Sequence, residues 1–90
     1  MKNNIKKVHL VLKHQWYDMI ESGVKNEEYR ENTPRYQKML TGATHIVFHR
    51  GYTSITMERK ISHITLGLGK PQLGAPSDRE VLCIKIQNRL

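Results

Sequence analysis

Four residues between positions 23 and 30 supply side chains that phosphate recognition and acid–base chemistry both use: Gly23, Lys25, Glu28 and Arg30. Glu28 and Arg30 are two apart, so on a strand they share a face and can pair. Lys25 is three before Glu28 and reaches that face only where the chain bulges or is still turning. Arg30 can offer its planar fork to a phosphate or a base, with Glu28 holding it in place. Lys25, beside a glycine turn, is free to point into a cleft. The same residues also read as structure, because two charges at a barrel mouth need partners.

Further candidates lie on either side of this stretch. Tyr29 and Tyr52 carry rings that can stack on a base beside basic residues. Arg50 precedes Gly51, which permits close backbone approach, and Lys70 ends the glycine-rich stretch Gly67-Leu68-Gly69-Lys70. That stretch lacks the spacing of a nucleotide P-loop and reads as a rim loop. An ordinary hairpin turn explains Arg50-Gly51-Tyr52 equally well. Tyr36 and Phe48 fit apolar faces and read as packing, as does Trp16.

The elements that must position these residues follow from periodicity. Val8 to Lys13 reads as a first strand. Gln15 to Ser22 reads as a helix with Trp16, Met19 and Ile20 on one face, closed by Gly23. Val24 to Glu31 is the second strand. Thr33-Pro34 opens a second helix, with Thr33 as cap and Pro34 at its first position, and Gly42 ends it. Thr44 to Arg50 is a third strand. Ser54 to about Leu66 contains a long strand with a bend or bulge, and Glu80 to Gln87 is the last. Five or so strands with two short helices imply an α+β domain on a small, mostly antiparallel barrel. The helices do not follow every strand, which argues against a doubly wound sheet.

Ninety residues suffice for one domain, spanning 1–90, with residues 1–6 as a disordered arm. The net charge is +7, from 15 basic and 8 acidic residues. Residues 32–77 hold one acid, Glu58, against six bases, so the middle of the chain carries five of the seven excess charges. Such a field draws polyanions. One cysteine, Cys83, excludes an internal disulfide and suits a reducing cytoplasm. No stretch approaches the ~20 apolar residues of a membrane span. His45 and His49 share a strand face, but their Cβ atoms would lie ~13 Å apart, too far to hold one ion. No metal and no cofactor are expected.

The pattern Gly23-x-Lys25-x-x-Glu28-x-Arg30 resembles the signature of the ASCH family, a branch of the PUA-like small β-barrels. The likeness extends over Leu10 to Arg30, with Trp16-Tyr17-Asp18 and Ser22-Gly23 ahead of the motif. Gly74-Ala75-Pro76 with the strand Val81 to Ile86 resembles the C-terminal end of small phage and bacterial ASCH-type proteins. The resemblance implies a PUA-like barrel that binds RNA, single-stranded nucleic acid or a nucleotide as a monomer, in a cleft near the helices. The ligand-binding residues would be Lys25, Glu28, Tyr29, Arg30, Arg50, Tyr52 and Lys70.

Two other readings stay open. Some small ASCH-type proteins are amidohydrolases acting on N4-acetylcytidine. They use a lysine at the position of Lys25, a threonine three residues later and a glutamate from a later strand. Here Glu28 replaces the threonine, so that nucleophile is missing. Lys25 and Glu28 would have to do acid–base work, with Glu58 the available later acid. The third reading is a regulatory module whose basic face meets an acidic protein.

Overall fold

In the computed structural model, which describes residues 4–87, five strands form one curled mixed sheet in the order β1-β3-β4-β5-β2. The strands are β1 (Lys7–Leu12), β2 (Glu27–Arg30), β3 (His45–Arg50), β4 (Thr56–Gly67) and β5 (Val81–Ile86). The helices are α1 (His14–Ser22) and α2 (Pro34–Leu40), and a 3-10 turn covers Pro71–Leu73. Three of the four pairings are antiparallel; β1 and β3 alone run parallel. This is the α+β fold with a barrel-like sheet that the element pattern implies. Among the described residues no helix is long and apolar enough to cross a membrane.

The curl originates in β4. Its first half pairs with β3 and its second half with β5, and the register shifts between Ile61 and His63. An extra residue in one strand of an antiparallel pair bends and twists it. One twelve-residue strand therefore belongs to both halves of the sheet and turns the corner between them.

The inner face is read from the alternation of β1, where Val8, Leu10 and Leu12 are buried and Lys7, His9 and Val11 are exposed. These meet Ile46 and Phe48 of β3, Ile84 and Ile86 of β5, Tyr17 and Ile20 of α1 and Leu40 of α2. A second, smaller cluster of Tyr29, Ala75, Val81 and Cys83 sits with Leu73 on the other side of β5. Strand β5 is thus buried on both faces, which a single apolar face of Leu82, Ile84 and Ile86 does not anticipate.

Both helix ends follow the local signals. Gly23 takes φ 86° and its N–H bonds to the Ile20 carbonyl. The Thr33 side chain accepts from the Tyr36 N–H, with Pro34 at the first helical position. Strand β2 is shorter than the Val24 to Glu31 expected, because the chain is still turning until Asn26. The Lys25 N–H bonds to the Met19 carbonyl, so residues 24–26 wrap the end of α1.

Of the arm expected over 1–6, residues 1–3 lie outside the described residues, and Lys6 is tied to the fold. The Lys6 N–H donates to Thr44 Oγ1, and its Nζ donates to the Thr41 carbonyl at 2.8 Å and the Lys38 carbonyl at 3.4 Å. A lysine at the end of α2 satisfies carbonyls that the helix leaves free. Phe48 is fully buried where both helices and the sheet meet. Phe48→Ala should cost about 3–5 kcal/mol of unfolding free energy, measured by urea denaturation.

Candidate functional site

The sheet does not close on itself by hydrogen-bonded strands. Its two outer strands, β1 and β2, are bridged instead by one side chain. Arg30, on β2, donates from Nη2 to the Val11 carbonyl of β1 at 3.0 Å. It also donates from Nε and Nη2 to Glu28 Oε2 at 3.0 and 2.7 Å, and from Nη1 to the Tyr36 hydroxyl at 3.3 Å. The two-residue spacing pairs Glu28 with Arg30 as expected. Burial opposes the charge on Arg30, but Glu28 and the Tyr36 hydroxyl together more than offset this, so its pKa is raised.

Lys25 lies on the far side of Glu28. Its Nζ is 3.5 Å from Glu28 Oε1 and donates to the Leu73 carbonyl at 2.5 Å. It also stands over the Tyr29 ring at 4.5 Å and the Trp16 ring at 5.4 Å. Only 1% of Lys25 is exposed. Burial drives its pKa down, with Glu28 opposing. With Lys25 protonated, two cations share one carboxylate and the cluster keeps one net positive charge. Lys25 is therefore not a free cation on a cleft wall, as its place beside Gly23 suggests. The turn at residues 24–26 aims it inward, where aromatic faces, a carboxylate and a carbonyl replace its water.

Tyr29 is also buried, and its hydroxyl donates to Glu27 Oε1 at 2.9 Å. The Gly67–Lys70 segment lies directly against it: a Cβ on Gly69 would come within 2.6 Å of the Tyr29 ring and 2.5 Å of Ala75. Tyr29 is thus a packing residue whose ring holds the 67–76 loop down. Lys70 is exposed and stands apart from the larger cleft. Arg50 is committed to Asp18, with Nε and Nη2 donating at 2.9 and 3.0 Å.

Two clefts open where the sheet is bridged, and both are lined by Arg30 and Tyr36. The larger, about 560 Å³, runs along His9 to Leu12 of β1 and on to Lys13, with Arg35, Tyr36 and Met39 of α2 opposite and Gly51 and Tyr52 at one end. The smaller, about 200 Å³, includes Tyr29, Glu31 and Gly74. No acidic residue lines the larger cleft. Its volume lies in the ordinary range for small-molecule sites, about 300–1,000 Å³. Tyr52 is 96% exposed, so its ring leans on nothing.

Of the residues singled out by sequence, Arg30 and Tyr52 meet at the larger cleft, while Lys25, Glu28 and Tyr29 form its buried support. Sequence reasoning missed Lys13 and Arg35, which add free charge, and Tyr36, whose hydroxyl is turned to Arg30. Chain position gives no sign of their convergence; Thr33-Pro34 placed α2 but not which strand it faces.

A histidine pair also escaped the sequence. The parallel register of β1 and β3 sets His9 beside His49, with Nδ1 and Nε2 2.8 Å apart. The contact requires one of these nitrogens to be unprotonated. Among the described residues no three His, Cys, Asp or Glu side chains gather as a metal site. Glu58 pairs with Lys7 at 3.0 Å on the outer face of the sheet and does not join Lys25 and Glu28. Comparison with protein-family models, curated proteins and solved structures finds no match for this chain.

Two expectations follow. Lys25→Ala should lower stability by about 2–5 kcal/mol, because it empties a buried side-chain site and leaves the Leu73 carbonyl without its donor, while Glu28 keeps Arg30; thermal melts decide it. Burial pushes the Tyr29 phenol up to about 12, and its hydrogen bond to Glu27 adds to the shift. Its unfolded pKa is about 10, so the unfolded chain loses this proton first. The stabilisation is fully present below pH 10 and disappears as pH rises towards 12. Burial raises Tyr17 and Cys83 in the same sense. Tyr29→Phe should therefore lessen the alkaline loss of stability without removing it, as read from urea midpoints at pH 8 and pH 11.

Proposed function

We propose that this protein binds single-stranded nucleic acid or a nucleotide in the larger cleft between β1 and α2. The observation that carries this reading is the lining itself. Lys13 and Arg35 supply positive charge, Arg30 adds a guanidinium shared with Glu28, no carboxylate lines the cleft, and the unpacked ring of Tyr52 stands beside them. Cationic grooves with free aromatic rings are the usual means of holding unpaired bases and their phosphates. The excess charge of the Lys25–Glu28–Arg30 cluster lies behind the groove and adds to its potential. The ASCH resemblance of the motif points the same way, with the motif building the groove's floor rather than touching the ligand through Lys25.

Hydrolysis of a modified nucleoside has less support. Lys25 and Glu28 line neither cleft, and a general acid or base must come within hydrogen-bond reach of its substrate.

Binding of a short single-stranded RNA should weaken with salt. With two to three phosphate contacts, the slope of log K against log salt is about −1.5 to −2. Tyr52→Ala should weaken binding by roughly tenfold, the usual worth of one stacked base, and leave the melting temperature unchanged because the ring packs on nothing. Fluorescence anisotropy at several salt concentrations measures both. A flat salt dependence, or an unaltered Tyr52→Ala, overturns the assignment of the groove.

A further inference from the structure

The larger cleft has a property beyond charge: four consecutive residues of one strand, His9 to Leu12, line it, and Lys13 continues the run. Side chains of a strand alternate between faces, so a run without gaps means that the strand's edge, its backbone, faces the cavity. The hydrogen bonds fix which backbone groups these are. The Leu12 carbonyl accepts from the Gly51 N–H and the Lys6 carbonyl from the His45 N–H, so the even residues of β1 bond towards β3. In a parallel pair alternate residues make the ladder, and the others turn their N–H and C=O to the opposite edge. The odd residues Lys7, His9 and Val11 therefore face outwards, as the bond from Arg30 to the Val11 carbonyl requires.

That edge is short. Arg30 occupies it at Val11. At the other end Lys6 ties the start of β1 to the last carbonyls of α2. Between these stoppers lie the N–H and C=O of Lys7 and of His9 and the N–H of Val11, and of these residues His9 and Val11 line the cleft. A strand added along an edge needs more length than this, since strands run to about 3–10 residues. A planar ring needs only one adjacent donor and acceptor. The extended backbone of His9 presents such a pair side by side, and the pairing edge of every nucleobase carries its complement.

We propose that the cleft takes one nucleobase edge-on against β1, with the His9 N–H and C=O bonded to its pairing edge and the Tyr52 ring on its face. Its phosphate lies towards Lys13 and Arg35. The ligand class is a nucleoside monophosphate, or one unpaired nucleotide within a strand. This rests on the nucleic-acid reading of the same cleft and goes further in naming the group that is read. An unpaired base is required, because in a duplex its pairing edge is occupied.

The test is an NMR titration of the ¹⁵N-labelled protein with AMP, CMP, GMP and UMP, with ribose 5-phosphate, and with a short single-stranded RNA. At least one monophosphate should bind tenfold or more tightly than ribose 5-phosphate and move the His9 and Val11 amide signals. The same nucleotide methylated at its pairing-edge nitrogen (N1 of a purine, N3 of a pyrimidine) should lose at least tenfold. His9→Pro removes the outward N–H, which an edge position tolerates, together with the ring contact to His49, and should lose as much, whereas His9→Ala, which removes the ring alone, should not. If His9→Pro does not fold, the methylated nucleotides test the same bond. RNA binding without preference for any monophosphate over ribose 5-phosphate overturns the base-reading proposal and leaves the electrostatic groove standing. Equal affinity for methylated and unmethylated nucleotides does the same. No binding of RNA or nucleotides overturns both. Movement of these amides by an acidic extended peptide alone would replace the proposal with strand addition.

Discussion

The contact between Arg30 and Val11 holds the two ends of the sheet together. A five-stranded sheet that curls but does not close leaves two edges, and exposed edges recruit other chains or fray. Here one guanidinium spans the gap, with its donors divided among the Val11 carbonyl, Glu28 and the Tyr36 hydroxyl. Such a bridge needs a charge held at a fixed angle in a half-buried place. Glu28 fixes the angle, and Lys25 balances the carboxylate from behind. Remove the carboxylate and two cations would face each other across a low-dielectric space.

Closure by a side chain instead of a ladder leaves room beside it. The two clefts flank Arg30 because no strand fills the gap there. The features that would weaken a purely structural barrel, an open edge and an excess of positive charge, are those that an anionic ligand can use. Interiors rarely keep a lysine at 1% exposure without several partners. Lys25 has four: a carboxylate, a carbonyl and two rings. Such saturation suits a fixed floor better than a group that must gain and lose a proton in turnover.

The loop from Gly67 to Pro76 completes the support. It lies across Tyr29, carries the Leu73 carbonyl to Lys25, and covers the outer side of β5. Gly69 is required because the loop passes too close to Tyr29 for a Cβ. Gly74 adopts φ 103° beside Trp16, a second position where an L side chain is strained. Helix α1, strand β2 and this loop thus form one unit around the Lys25 ammonium, although they are spread over the chain from His14 to Pro76.

The sequence alone determined the elements and one pairing. Strand alternation in β1, the Thr33-Pro34 start of α2, the αL glycine after α1 and the spacing of Glu28 and Arg30 are local properties. Each depends on dihedrals or on neighbours within a few residues, and each was legible. Tertiary structure decided what faced what. A lysine beside a glycine turn has the same sequence whether it points to water or to Trp16; the three-residue wrap of 24–26 around α1 chose the interior. The parallel register of β1 on β3, set by partners some forty residues apart, joined His9 to His49. The side on which α2 settled brought Arg35 and Tyr36 to the open edge and so made the cleft. These choices depend on which long-range contacts bury the most surface at once, and no short stretch of chain carries that information.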